Sequence, residues 1–457
     1  MKQSMQWRKT LSAGMALCLV GLGAWALSRH AANMPPTTAQ AATSVVKEIE
    51  AVPALSKSDH EIATLAANAR LTPHNAVVWA KLGDALMQKA RETADASYYT
   101  RAEKAYRQAL ALNPKNITAL VGMAWVNGGR HEFEQSIDWA HRALALDPGN
   151  NDAYGLIGDA DVEMGNYTAA YADYQKMLDL RPDLSSYSRG GHLVWLMGDS
   201  RKAILLMVKA IGTGGPYAEN TAWCRAQLAL ILNSLGALPA AENTIRAAVK
   251  VAPNNYQVLA ALGKIEAAKK DFPAAIDAYR RSVAIVPTHD ALTALGDLYR
   301  LTGDLPNAEK QYALVETIHR LQKANGVRGD WQIAQFDADH DRNLPEALSE
   351  MQAEYKTRPN VYVADTLAWC YYKNGRYQEA EEMSEKALSR RTPEASFLFH
   401  AGMIEAKLGD RVTAQNRLYQ ALSTNPNFSP VYAPVAVETL RQLGSRPQVI
   451  GQAPLGR

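Results

Sequence analysis

Past residue 56 the chain falls into short stretches whose apolar residues recur at helical spacing, each followed by a glycine-bearing turn and a second amphipathic stretch rich in alanine. The prolines mark the beat. Pro114, Pro148 and Pro182 are spaced 34 residues apart, as are Pro253 and Pro287, and Pro359 and Pro393. Turns such as "GNY" at Gly165, "GD" at Gly198, Gly303 and Gly409, and "GRY" at Gly375 fall inside each period. A proline after the second helix removes a backbone donor and stops it before the next period begins. The pattern predicts an all-α chain of about ten helix-turn-helix units between Thr72 and Pro426, with a lone helix at Asp59 to Arg70 and another at Val431 to Leu443. Those two helices cover the apolar end faces that a stack otherwise exposes.

Small residues at Gly83, Gly158, Gly263, Gly296 and Gly402 predict close approach of the two helices of a unit. In the first unit the positions run Trp79, Leu82, Gly83, Leu86, Ala102, Tyr106, Ala109 and Pro114, with extra residues around "RETADAS" lengthening the hairpin. The seventh gives Leu292, Leu295, Gly296, Tyr299, Ala308 and Tyr312; the tenth gives Leu398, Gly402, Ala414, Leu418, Ala421 and Pro426. The fourth, Leu184 to Pro216, has the weakest pattern, with Gly190, Gly191 and His192 inside its first helix. These residues resemble the tetratricopeptide repeat (TPR). The resemblance implies a right-handed superhelical solenoid over residues 56–443. The closing segments "VADTLAWCYYKNGRYQEA" and "FLFHAGMIEAKLGD" are also similar to the last repeats of exported or membrane-associated bacterial TPR proteins.

The first residues have a different composition. Lys2, Arg8 and Lys9 precede an uncharged apolar run, Leu11 to Leu27, which Arg29 closes. Residues 1–28 therefore read as a cleaved signal peptide or an uncleaved signal anchor, a choice the run's length leaves open. The basic flank predicts a cytoplasmic N-terminus with the remainder exported. It is then anchored in the inner membrane with the solenoid outside, or secreted or periplasmic after cleavage. Residues 29–55 read as a flexible Pro/Ala/Thr-rich tether, and 444–457 as a disordered tail.

With 49 basic and 46 acidic residues the net charge is +3, and no local basic patch points to nucleic acid. Cys18, Cys224 and Cys370 form no metal or disulfide framework. The stretch "DADHDRN", Asp337 to Asn343, invites comparison with a calcium loop. Arg342 stands where that loop needs its glycine and Leu348 where it needs its bidentate glutamate, so the ligand count fails. A turn in which Asp341 or Asn343 caps a helix accounts for the stretch, and no metal or other cofactor is expected. No phosphate loop, HExxH pair, GxSxG elbow or GxGxxG fingerprint occurs, and His131, His141, His319 and His400 fall on different units. An enzyme is not expected.

The resemblance implies a concave groove lined by positions 2, 5, 9 and 12 of each first helix. In the early units and the seventh these give Asp84, Asp152, Asp159, Asp290 and Asp297, an acidic groove. In the last two they give Tyr362, Trp369, Tyr372, Phe399 and Met403, either a platform for an apolar or helical peptide or a surface under the closing helix. The expected function is a non-enzymatic, exported or membrane-tethered scaffold for a partner protein or peptide. The alternative is an accessory subunit of an envelope machine for polysaccharide, pilus or cytochrome biogenesis.

Overall fold

The computed structural model describes residues 57–214, 218–327 and 331–444. The expected signal or anchor, the tether and all of the tail beyond Gly444 lie outside the described residues, as does the first residue of the 56–443 solenoid span. Every regular element described is a helix. No helix among the described residues is long and apolar enough to cross a membrane.

The helices form two compact units, divided between Gly122 and Met123. The first holds α1 (Lys57–Leu71), α2 (Ala76–Thr93), α3 (Ser97–Leu112) and the start of α4 (Ile117–Gly129). Its core is built around Tyr106, wedged against two glycines: a Cβ on Gly83 would lie 2.4 Å from the ring, and one on Gly122 2.1 Å from it. Lys89 bonds Asp59 at 2.8 Å and ties α1 to α2.

The second unit continues in pairs. Repeat 2 is completed by α5 (Phe133–Leu144), and repeat 3 is α6 (Asn151–Glu163) and α7 (Tyr167–Leu180). Repeat 4 is α8 (Leu184–Leu196) and α9 (Ser200–Thr213), and repeat 5 α10 (Ala218–Ser234) and α11 (Leu238–Val251). Repeat 6 is α12 (Tyr256–Ala268) and α13 (Phe272–Ile285), and repeat 7 α14 (His289–Leu301) and α15 (Leu305–Ala324). Then come α16 (Trp331–Asp339) and α17 (Leu344–Thr357), α18 (Val361–Lys373) and α19 (Tyr377–Leu388), and α20 (Ala395–Leu408) and α21 (Arg411–Thr424). The closing helix is α22 (Tyr432–Gln442). Repeat 4 is as regular as its neighbours, because Asp183 starts α8 with a capping box and Gly191 packs against Met207. At Gly158, Gly263, Gly296 and Gly402 an added Cβ would lie between 2.4 and 2.7 Å from the facing second helix, so small residues set the spacing within each repeat.

A second contact is not local in sequence: repeats 8 to 10 dock on the inter-helix turns of repeats 3 to 5. Three similar hydrogen bonds hold this seam. Asn360 Nδ2 donates to Glu163 O at 2.8 Å, Thr392 Oγ1 to Leu196 O at 2.6 Å, and Asn425 Nδ2 to Asn233 O at 2.8 Å. Beside each bond is a turn glycine with positive φ. Cβ atoms on Gly165, Gly198 and Gly236 would lie 2.7 Å from Pro359 O, 2.8 Å from Arg390 O and 3.0 Å from Thr424 O. Tyr167, Trp195 and Leu196 share one apolar core with Val361, Ala364, Ala387 and Phe397 across the seam. Buried Arg358 adds an ion pair to Glu163.

Candidate functional site

The seam completes a wall. Inside it lies a cavity of about 600 Å³, lined by groups from the ends of α10, α12, α14, α16, α18 and α20 and by the segment entering α22. Asn233 and Asn425, partners in the seam, both line it, and so do Lys264, Arg300 and Gln335. Periodicity puts most of them there, the first helices α10, α12, α14, α16 and α18 presenting their C-terminal halves to the cavity, while α20 contributes its N-terminal half.

The acids of the cavity are engaged by neighbours. Asp297 accepts from Tyr312 Oη at 2.8 Å and contacts His340 Nε2 at 2.8 Å. Asp341 takes Lys373 Nζ at 2.6 Å. Asp339 accepts from Trp369 Nε1 and Tyr432 Oη, both at 2.8 Å. Burial raises the Asp339 carboxyl above its ordinary range, against the His400 charge and those hydrogen bonds, which pull it down. Glu394 is likewise raised by burial, opposed by Lys264 and by hydrogen bonds from Trp195 and Ser234 across the seam. His400 Nδ1 meets Asp365 Oδ2 at 2.9 Å, with both side chains buried. Burial disfavours its imidazolium, but the Asp365 charge and hydrogen bond, with Asp339 beyond, outweigh that and raise it. His400 falls on a repeat apart from the other histidines, and its pairing with Asp365, 35 residues upstream, has no local sequence signal.

The ten residues expected in the groove are placed differently from one another. Among them Asp297 lines this cavity. Asp84 and Asp159 accept from Tyr106 and Tyr174 of their own repeats at 2.8 and 2.7 Å, the same pairing that Asp297 makes with Tyr312. Arg189 also bonds Asp159 at 2.8 Å, Arg181 bonds Asp152 at 2.9 Å, and Gln332 bonds Asp290 at 2.8 Å. Trp369 and Phe399 are in the core, 3% and 1% exposed. Tyr372 stacks on Trp369, and Met403 accepts from Thr439 of α22. Tyr362 stacks on Trp331 and meets Phe397 edge-on. From α22, Tyr432 stacks on Phe399 with centroids 5.1 Å apart and meets Trp369 edge-on.

The acidic stretch needs a correction. Asp337 and Asp339 belong to the last turn of α16, and the turn itself is residues 340–343. Asn343 stands at the N-cap of α17 with φ 42° and no side-chain capping bond; its amide donates instead to Asp337 at 3.2 Å. Asp341 serves Lys373 and not a helix end. No cluster of three or more metal-ligating side chains occurs among the described residues.

Burial raises the Asp337 carboxyl to about 6, the Asn343 hydrogen bond opposing and Glu316 and Glu350 assisting. Because the folded value lies above the unfolded one, its contribution to stability is fully present in acid and is lost as pH rises through about 6. Asp337→Asn is therefore expected to flatten the fall in denaturation midpoint between pH 4 and pH 7. An unchanged profile contradicts this.

Helix-turn-helix pairs stacked through small residues define a helical repeat protein. Tetratricopeptide repeat models match at residues 152–184, 227–290 and 362–392. The chain is a tetratricopeptide repeat protein. It is 30% identical over 114 residues to the formate-dependent nitrite reductase complex subunit NrfG of Escherichia coli O157:H7, a match covering 24% of this chain and 54% of that protein. The chain thus spans about half the length of that relative. Among solved structures it is similar to the APC/C heterotetramer Cut9–Hcn1, with 13% identity and a TM-score of 0.39 over 85% of this chain and 97% of that one. A tetratricopeptide repeat protein from Parabacteroides merdae gives 19% identity and a TM-score of 0.39 over 54% of this chain and 93% of that one.

Proposed function

We propose that the chain is a non-enzymatic scaffold that holds a short segment of a partner protein in the cavity of its second unit. The observation that carries this is the composition of the cavity wall. Its carboxylates are engaged by neighbouring side chains, Glu394 by the Lys264 charge among others, whereas Arg300 and Gln335 line it with donors to spare. A volume of about 600 Å³ is within the range of small binding pockets, about 300–1,000 Å³, and suits a few residues better than a long helix. The test is a photo-crosslinking amino acid at Gln335 in cells. A discrete protein adduct that disappears when Lys264 and Arg300 are both changed to glutamate is the expected result. Absence of an adduct, or one indifferent to the charge reversal, contradicts it.

The resemblance to a subunit of the formate-dependent nitrite reductase complex favours a second reading, an accessory subunit of an envelope assembly. Here the repeats set spacing within a multi-protein complex. Both readings place the repeats outside the cytoplasm, on the basic flank and apolar run of the N-terminal segment. Co-purification in stable stoichiometry with several envelope proteins, retained by the charge-reversed cavity variant, separates the second reading from the first.

A further inference from the structure

Helix α9 turns basic and apolar side chains outward on one face. Of its fourteen residues, Arg201, Lys202 and Lys209 are basic and none is acidic. Leu205 and Val208, about one turn apart, are 53% and 51% exposed between them. Two tyrosines from neighbouring helices flank the patch: Lys202 Nζ lies 5.1 Å from the ring centre of Tyr171 and bonds its hydroxyl at 3.2 Å, and Lys209 Nζ lies 5.6 Å from that of Tyr187. Tyr171 is itself exposed.

We propose that this face of α9 docks on an anionic lipid bilayer. The apolar pair supplies shallow insertion, the lysines and Arg201 meet lipid phosphates, and amphipathic tyrosines beside them suit the headgroup level. A protein partner accounts for two exposed apolar side chains equally well, but it does not call for a helix whose every charge is positive beside interfacial tyrosines. Charge complementarity selects the bilayer. Retained as an anchor, the apolar run at Leu11 to Leu27 would hold a membrane within reach of the same chain. Insertion of Leu205 and Val208 adds to electrostatic attraction, and neither is sufficient on its own.

The test uses the full chain with Cys18, Cys224 and Cys370 replaced by alanine and an environment-sensitive dye on Val208→Cys. Vesicles are of phosphatidylcholine alone or of phosphatidylcholine with phosphatidylglycerol. The N-terminal segment is the same in both, so the signal reads the α9 face and not anchoring. Emission is expected to rise and shift to the blue on the anionic vesicles and not on the neutral ones. The effect disappears in Lys202→Glu/Lys209→Glu, and at about 1 M salt, where the screening length falls to about 3 Å. A dye on Leu305→Cys, an exposed apolar site at the start of α15 beside Asp304, stays silent. Equal signals on both vesicle types, a matching response at Leu305, or silence at Val208 overturns the proposal. A response to a purified protein partner without vesicles assigns the face to protein binding instead and also overturns it.

Discussion

Trp369→Ala is expected to destabilise the C-terminal repeats by about 3–5 kcal/mol, read as a lower denaturant midpoint with an unchanged slope. The ring is 3% exposed and sits at the centre of a cluster. It stacks on His400 at 4.3 Å and on Tyr372 at 4.6 Å, meets Tyr432 edge-on, and donates its indole N–H to Asp339. Removing it leaves a void beside a half-buried carboxylate that has lost one of its donors, so cavity and hydrogen-bond costs add. Loss of α22 from its seat should accompany the change, because Tyr432 packs against this cluster. A normal melt would show that the ring carries little of the packing energy its contacts imply.

Gly198→Val is the second large effect, and Gly303→Val is its control. Both glycines have nearly the same backbone, φ 85° and 86°, so a branched residue is strained equally at each, by about 1–2 kcal/mol. Only their surroundings differ. A Cβ at position 198 would lie 2.8 and 2.9 Å from the backbone oxygens of Arg390 and Arg391, whereas one at position 303 would meet nothing within 4 Å. Overpacking against backbone adds about 1–3 kcal/mol at the first site alone. In Gly198→Val the Val361 amide, which donates to Tyr167 Oη at 3.0 Å in the adjoining part of the seam, should exchange faster with solvent; in Gly303→Val it should not. Equal exchange in the two variants would separate the seam from the stability of repeats 3 to 5.

The same pair of glycines shows how far the sequence could be read. Gly198 and Gly303 stand in the same "GD" turn at the same point of the period, and the period is enough to place both between helices. Nothing local distinguishes the covered one from the open one, because the atoms that cover Gly198 lie almost six repeats further on. The close approaches at Gly158, Gly263, Gly296 and Gly402 were legible, since each depends on two helices of one repeat. Repeat 4 looked weak because Gly190 and Gly191 have poor helix propensity. Tertiary packing of Gly191 on Met207 and the capping box at Asp183 override it.

Site residues divide along the same line. Position 9 of the first helix predicted Asp297 at the concave side, and it lines the cavity. What that rule does not contain is the tyrosine of the second helix, which occupies Asp84, Asp159 and Asp297 alike through its hydroxyl. His400 finds its partner in repeat 9, Asp339 in repeat 9 and α22, and Glu394 in repeats 4, 5 and 6, and pairing across repeats depends on how tightly the stack coils. A 34-residue spacing leaves that coiling open.

Closure of the second unit on itself is the claim on which the cavity, and with it the proposed mode of binding, depends. Its most direct test is a pair of spin labels at Met197→Cys and Arg390→Cys in the cysteine-free chain, on the two sides of the seam next to Gly198. Strong dipolar broadening, relative to the summed spectra of the two singly labelled proteins, is the result this account predicts. A doubly labelled spectrum that equals that sum would mean that repeats 8 to 10 stand apart from repeats 3 to 5, and would contradict it.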